Sequence, residues 1–177
     1  MKPLSRMISF IVLVLTIHPS LTHSSRPNNL VVVDQTCKRT SFPSFCASAL
    51  LSDPRVSGAR SPQALGLIMA SRVGSKAESA LAKVKALVPS TRDPRAKKAL
   101  SYCGDVYEAM VIGMVPASKD SLAKGDYKFA QQYMTDAANE VLACEDGFRG
   151  SKSPLSGEND FVHKAASVVA SIAQSLL

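Results

Sequence analysis

The chain has 177 residues, 46% of them hydrophobic, and a formal net charge of +7. That length and apolar content suit one domain around one core. Lys and Arg are scattered rather than run together and aromatics make up 6%, which excludes a nucleic-acid surface of interleaved basic and aromatic side chains.

At the N-terminus, Lys2 and Arg6 flank the start of a nearly unbroken apolar run, Met7 to Ile17, which Pro19 closes and Thr22 and Ser24 follow. This is the layout of a cleavable export signal, and the run falls short of the ~20 apolar residues that span a bilayer. Residues 1–24 are expected to be removed, leaving 25–177 as the folded domain without a membrane span. Lys2 and Arg6 carry +2 of the +7, so the remaining chain carries +5. That excess suits an acidic partner or an anionic polysaccharide, and equally ordinary solubility.

Nearly every periodic segment after residue 24 has a helical period. Two short amphipathic pieces come first, about Leu30–Cys37 and Ser44–Leu51. The second is expected to stop at Asp53-Pro54, because a residue before proline disfavours the helical region, and 53–61 reads as a loop. Ser61-Pro62 then opens a long helix: a capping hydroxyl followed by proline at the first helical position. Val73, Ala77, Ala80, Leu81, Val84, Leu87 and Val88 recur at spacings of three and four, which marks one buried stripe. Pro89 ends it. Asp93-Pro94 repeats the start signal, with Ala96, Leu100, Cys103, Tyr107, Met110, Val111 and Met114 as the stripe. Pro116 is expected to kink or end this helix, and Lys119–Gly125 to be a break. Gly125-Asp126 opens the next helix, with Ala130, Ala137, Val141 and Cys144 inward. A Gly/Ser/Pro-rich loop from Gly147 to Gly157 precedes a last helix from about Asn159, seamed by Phe161, Ala165, Val168, Val169, Ile172 and Leu176. The expected fold is all-α: an up-and-down four-helix bundle over about 61–177, with an N-terminal helical hairpin over about 30–52.

An even cysteine count after an export signal points to disulfides. Of the three possible pairings, Cys37–Cys46 clips the two short helices, and Cys103–Cys144 joins two bundle helices from their buried faces. A metal site is the alternative, but the spacing lacks a Cys-x-x-Cys pair, so no metal and no cofactor are expected. No catalytic set emerges either: there is no Gly-x-Ser-x-Gly, P-loop or metal-helix signature. His163 stands without a motif and reads as structural, and Asp34, Glu145 and Asp146 read as solvated charges. A disulfide-clipped bundle without catalytic chemistry suggests a binding module. A helical carrier of a small apolar ligand is a second reading, to be judged by whether side chains fill the bundle core.

Four segments carry a resemblance: Cys37-Lys38 through Phe45-Cys46; Ser52-Asp53-Pro54-Arg55; Asp93-Pro94-Arg95 leading to Cys103; and Cys144-Glu145-Asp146-Gly147-Phe148. Together they resemble the plant invertase and pectin methylesterase inhibitor family over essentially all of 25–177. The resemblance implies the same bundle, hairpin and disulfide pairing. It also implies secretion to the cell wall (apoplast) or vacuole, and a one-to-one complex with a target enzyme. Gly125-Asp126-Tyr127-Lys128-Phe129-Ala130 is similar to the Gly-Asp-Pro-Lys-Phe segment of the invertase-inhibitor branch, whose Pro-Lys-Phe element enters the invertase active site. Gly150-Ser151-Lys152-Ser153-Pro154 resembles the same branch. The implied target is therefore an acid invertase (β-fructofuranosidase), with Asp126, Tyr127, Lys128 and Phe129 as contact residues and a pectin methylesterase as the alternative partner. Tyr127 departs from the branch, which has proline there. From spacing alone, Lys128 is a solvated charge and Phe129 a core residue at the start of its helix.

Overall fold

The computed structural model describes residues 28–177; the proposed export signal, 1–24, lies outside them. Seven α-helices follow in order: α1 (Asn28–Cys37), α2 (Pro43–Leu51), α3 (Pro62–Leu87), α4 (Pro94–Ala109), α5 (Val115–Lys124), α6 (Tyr127–Asp146) and α7 (Ser156–Gln174). No strand occurs among the described residues. α4 and α5 form one rod through a π-helical turn, Met110–Met114. The rod packs on α3 and α6, and α7 packs on α6 and α3, which closes an up-and-down four-helix bundle. The α1–α2 hairpin lies against α3 and α7.

The start signals act as local chemistry requires. Ser61 accepts a hydrogen bond from the Ala64 amide at 3.2 Å, and Asp93 one from the Arg95 amide at 3.0 Å. Each satisfies an amide that the first turn leaves without a partner, and the proline that follows has no amide to satisfy. Asp53-Pro54 carries the same signal, read above as part of a loop. Asp53 caps the Arg55 amide at 3.0 Å and opens a 3-10 turn, Pro54–Gly58. The turn goes no further because Ala59 returns to extended backbone.

Around Pro116 the structure corrects the expected break. The chain stays helical from Pro94 to Lys124. Pro116 has no amide to donate to the carbonyl four residues back. The preceding turn widens instead, with the Val115 amide reaching the Met110 carbonyl five residues back, a π-turn that takes up the misfit within a helix. It also resets the buried stripe. Leu100, Cys103, Tyr107 and Met110 point inward as expected. After the π-turn the inward residues are Val115, Ser118, Ser121 and Leu122, while Val111 and Met114 are half-buried.

The disulfides are Cys37–Cys46 and Cys103–Cys144, with Cα separations of 5.5 and 5.1 Å. The expected α3 and α6 stripes are buried at Val73, Ala77, Ala80 and Val84, and at Ala130, Ala137, Val141 and Cys144. In α7, Ala165, Val168, Val169 and Ile172 are buried, whereas Phe161 and Leu176 are half-buried. Phe161 faces the hairpin, its ring edge-on to Phe45 at 5.4 Å. Tyr107, Leu65, Met69, Met110 and Met134 fill the bundle interior. Truncating one of these methionines to alanine is expected to cost ~2–5 kcal/mol.

Candidate functional site

The segment 125–129 sits at a two-residue corner between α5 and α6. α5 ends because Gly125 adopts φ 85°, a left-handed conformation open to glycine and strained for other residues. The Gly125 amide reaches the Leu122 carbonyl at 3.3 Å, and the Asp126 amide reaches the Ser121 carbonyl at 2.8 Å. That pair of bonds is the Schellman closure. Asp126 then offers its carbonyl to the amides of Phe129 and Ala130, both at 3.1 Å, and so starts α6 through its backbone. Its carboxylate makes no cap hydrogen bond.

The body of the bundle holds the corner from behind. Gln63 at the start of α3 donates to the Leu122 carbonyl at 2.6 Å. Buried Ser118 donates to the Ala130 carbonyl at 3.3 Å, tying α5 to the first turn of α6. Leu122 and Ala130 are fully buried. An added Cβ on Gly66 would meet the Leu122 methyls at 3.6 Å, so α3 and α5 already pack closely here.

On this base the four sequence-predicted contact residues divide. Tyr127 is half-buried and packs on the core. Asp126 and Lys128 are exposed. Phe129 is 62% exposed, so the spacing-based reading of it as a core residue is corrected. The cause is register: Ala130, one position on, takes the inward site, and a helix turns ~100° per residue. Lys128 and Phe129 lie in the first turn of α6, not in a loop. Among the described residues, neither Asp126 nor Lys128 has an ion-pair partner within 4.0 Å, whereas nearby Lys124 is paired with Asp120 at 2.7 Å. The corner therefore presents an ammonium, a carboxylate and an aromatic ring to solvent from a backbone fixed by main-chain bonds.

Glu145 corrects a second sequence reading. It is no free solvated charge, because it accepts from Ser156 Oγ at 2.6 Å and from the Asn159 amide. Asn159 in turn accepts from Tyr107 Oη. Burial pushes the Tyr107 hydroxyl well above its ordinary value, with the charges of Glu158 and Glu145 adding to it, so it stays a proton donor. This network links α4, α6 and α7 beside the Cys103–Cys144 bridge. Its only sequence signal was Tyr107 on the inner stripe. Asp34 and Asp146 do behave as surface charges, paired with Lys38 and Arg149 at 2.7 Å. His163 is half-buried, with Nδ1 3.2 Å from the Ala138 carbonyl and its ring edge-on to Phe42.

The family profile described as plant invertase/pectin methylesterase inhibitor matches residues 31–173. The cell wall / vacuolar inhibitor of fructosidase 1 of Arabidopsis thaliana is 32% identical over 141 residues, covering 80% of this chain and 67% of that protein. The pectinesterase inhibitor of Actinidia deliciosa is 28% identical over 146 residues, covering 82% and 78%. In three dimensions, a mutant form of a pectin methylesterase inhibitor from Arabidopsis superposes with a TM-score of 0.68 at 23% identity, covering 78% of this chain and 92% of that one; this likeness establishes the bundle. Matched over nearly all of its described length, the chain belongs to the plant invertase/pectin methylesterase inhibitor family, and it is an inhibitor of such enzymes rather than an enzyme itself.

Proposed function

We propose that the target is an acid invertase, inhibited one-to-one by insertion of the first turn of α6 into the active site. The observation that carries this reading is the corner itself, where Lys128 and Phe129 project from a Schellman-closed backbone and Lys128 has no ion-pair partner within 4.0 Å among the described residues. Retaining glycosidases hold two carboxylates ~5 Å apart at the sugar site. An unpaired ammonium on a convex corner complements such a pair. The Phe129 ring beside it covers the pocket mouth, and excluding water strengthens the ion pairing. The corner's rigidity matters because little order is left to impose on binding. The relative named as an inhibitor of fructosidase supports the same target, and by its name the cell wall or vacuole as the place of action.

A pectin methylesterase is the second reading, supported by the relative named as a pectinesterase inhibitor. There, the exposed faces of the bundle helices would cover the esterase cleft. The deciding experiment titrates the oxidised protein against an acid invertase and a pectin methylesterase. Inhibition of invertase, relieved competitively by sucrose, is the expected result. Loss of esterase activity at concentrations that leave several invertases untouched replaces it with the second reading.

A further inference from the structure

The Ser52-Asp53-Pro54-Arg55 stretch and the adjoining face of α3 take no part in the corner, yet they build a charged trough. A cleft of about 340 Å³ is lined by Arg55, Arg72, Lys76, Ser75, Ser79 and Phe161. A second, of about 450 Å³, shares Arg55 and Ser75 with it and continues past Ser71 and Glu78 to Lys119 on α5. Both lie in the size range of ligand sites. The two adjoin at Arg55 and Ser75, one on the α7 flank of α3 and one on its α5 flank, and cationic heads are spread across both instead of converging on one point.

The cations at one end are set in place. Asp53 is only 7% exposed and grips Arg55 through two bonds, from Nε at 2.9 Å and Nη2 at 2.7 Å. Arg55 holds the Asp53 carboxyl down at about 2, below the usual carboxylate range, so this anchor stays charged in mildly acidic surroundings. Arg72 donates to Ser52 Oγ at 3.1 Å and stands 3.9 Å from the same carboxylate. Its Nε is buried without a hydrogen-bond partner. Arg72 and Lys76 both sit over the Phe161 ring, 5.7 and 5.1 Å from its centre. Lys76 and Lys119 have no carboxylate within 4.0 Å among the described residues. Four cations thus face two acids, one of which, Asp53, is already engaged.

Two further features select the ligand class. Ser71, Ser75 and Ser79 recur every four residues along one edge of α3, placing a hydroxyl every ~6 Å. Half-buried Val111 and exposed Pro116, on the α5 flank, offer apolar surface for the C–H faces of a sugar. The groove walls are helical, so no free backbone edge is available to pair with an extended peptide. We propose that this trough binds a chain of uronic-acid sugars, with carboxylates meeting Arg55, Arg72, Lys76 and Lys119 and hydroxyls meeting the serine row.

The test is calorimetric titration of the oxidised protein with a short, size-defined, unesterified oligogalacturonate in low-salt buffer. Binding is expected that weakens as salt screens the charges. It is expected to fall at least about tenfold in a Lys76→Ala/Lys119→Ala variant, roughly 1.4 kcal/mol, and to tighten in Glu78→Gln. A Lys97→Ala/Lys98→Ala variant, altered at exposed lysines of α4 outside the trough, is expected to bind as the parent does. Absence of binding overturns the proposal. So does equal affinity for the fully methyl-esterified oligomer, or an equal loss in the Lys97/Lys98 control. Tighter binding of poly-glutamate reassigns the trough to acidic peptides. The readout is glycan binding, so the result stands apart from the inhibition assays.

Discussion

At its C-terminal end, α6 sends Cys144 and Glu145 into a network where every polar group named has a partner. At its N-terminal end it leaves Asp126, Lys128 and Phe129 facing outward, and neither charge has an ion-pair partner within 4.0 Å among the described residues. In the first region Tyr107, Asn159, Glu145 and Ser156 satisfy one another beside a disulfide. In the second, only the backbone is satisfied, through the Gly125 closure and the Asp126 carbonyl. The contrast separates a region built to hold the fold from one built to meet another molecule. An unsatisfied polar group is costly when buried, but at an exposed corner water keeps it at little cost until a partner replaces the water.

Removing the Cys103–Cys144 bridge is expected to have the largest effect. It closes a loop with a sequence separation of 41, and a loop of that size contributes ~4 kcal/mol in the chain-entropy model. Urea unfolding of Cys103→Ser/Cys144→Ser should show that loss, while any folded fraction keeps its inhibitory activity. A loss under ~1 kcal/mol would mean that the helices hold this end without the bridge.

Asn159→Ala comes next. It strands the Tyr107 hydroxyl and one Glu145 oxygen, at an expected cost of ~2–3 kcal/mol. Adding Tyr107→Phe should recover part of this, because the stranded donor is then gone. If the double variant is no more stable than Asn159→Ala alone, the hydroxyl was not the source of the cost. Neither variant should change the inhibition constant, because both sites lie at the far end of α6.

The corner should show the reverse pattern. Lys128→Ala and Phe129→Ala are each expected to cost about 2 kcal/mol of binding, some thirtyfold in inhibition, with unfolding midpoints unchanged. Lys128→Glu should be worse than Lys128→Ala, since it sets like charge against the catalytic acids. Unchanged inhibition by a folded Lys128→Ala/Phe129→Ala double variant would move the inhibitory surface away from this corner.

Tyr127→Pro is expected to have the smallest effect. Tyr127 is the first residue of α6, where an amide has no intrahelical acceptor, so proline removes no helical bond. Restricting the free chain contributes ~0.4–1 kcal/mol. Against it, Asp126, at ψ 60°, must open toward the extended values that precede proline. Inhibition should be held or slightly tightened. A clear loss would show that the half-buried Tyr127 ring contributes more by packing than proline contributes by stiffness.

Much of this architecture follows from local sequence. The Ser61-Pro62 and Asp93-Pro94 starts, the inner stripes of α3 and α6, and the pairing of cysteines on facing stripes rest on capping chemistry and helical period. Both act within a few residues and can be read along the chain. The corner was legible as Gly125-Asp126 because a left-handed stop followed by a polar residue is local chemistry as well. Tertiary structure decided what depends on neighbours distant in sequence. Pro116 ends no helix because a π-turn absorbs it within a rod held between α3 and α6. Glu145 is a structural acceptor because α7 brings Asn159 and Ser156 to it. Phe129 faces solvent because Ala130 takes the one inward place that the close packing of α5 and α6 leaves. Period and propensity assign a residue to a face of its own helix, but only the packed bundle settles which partners that face meets.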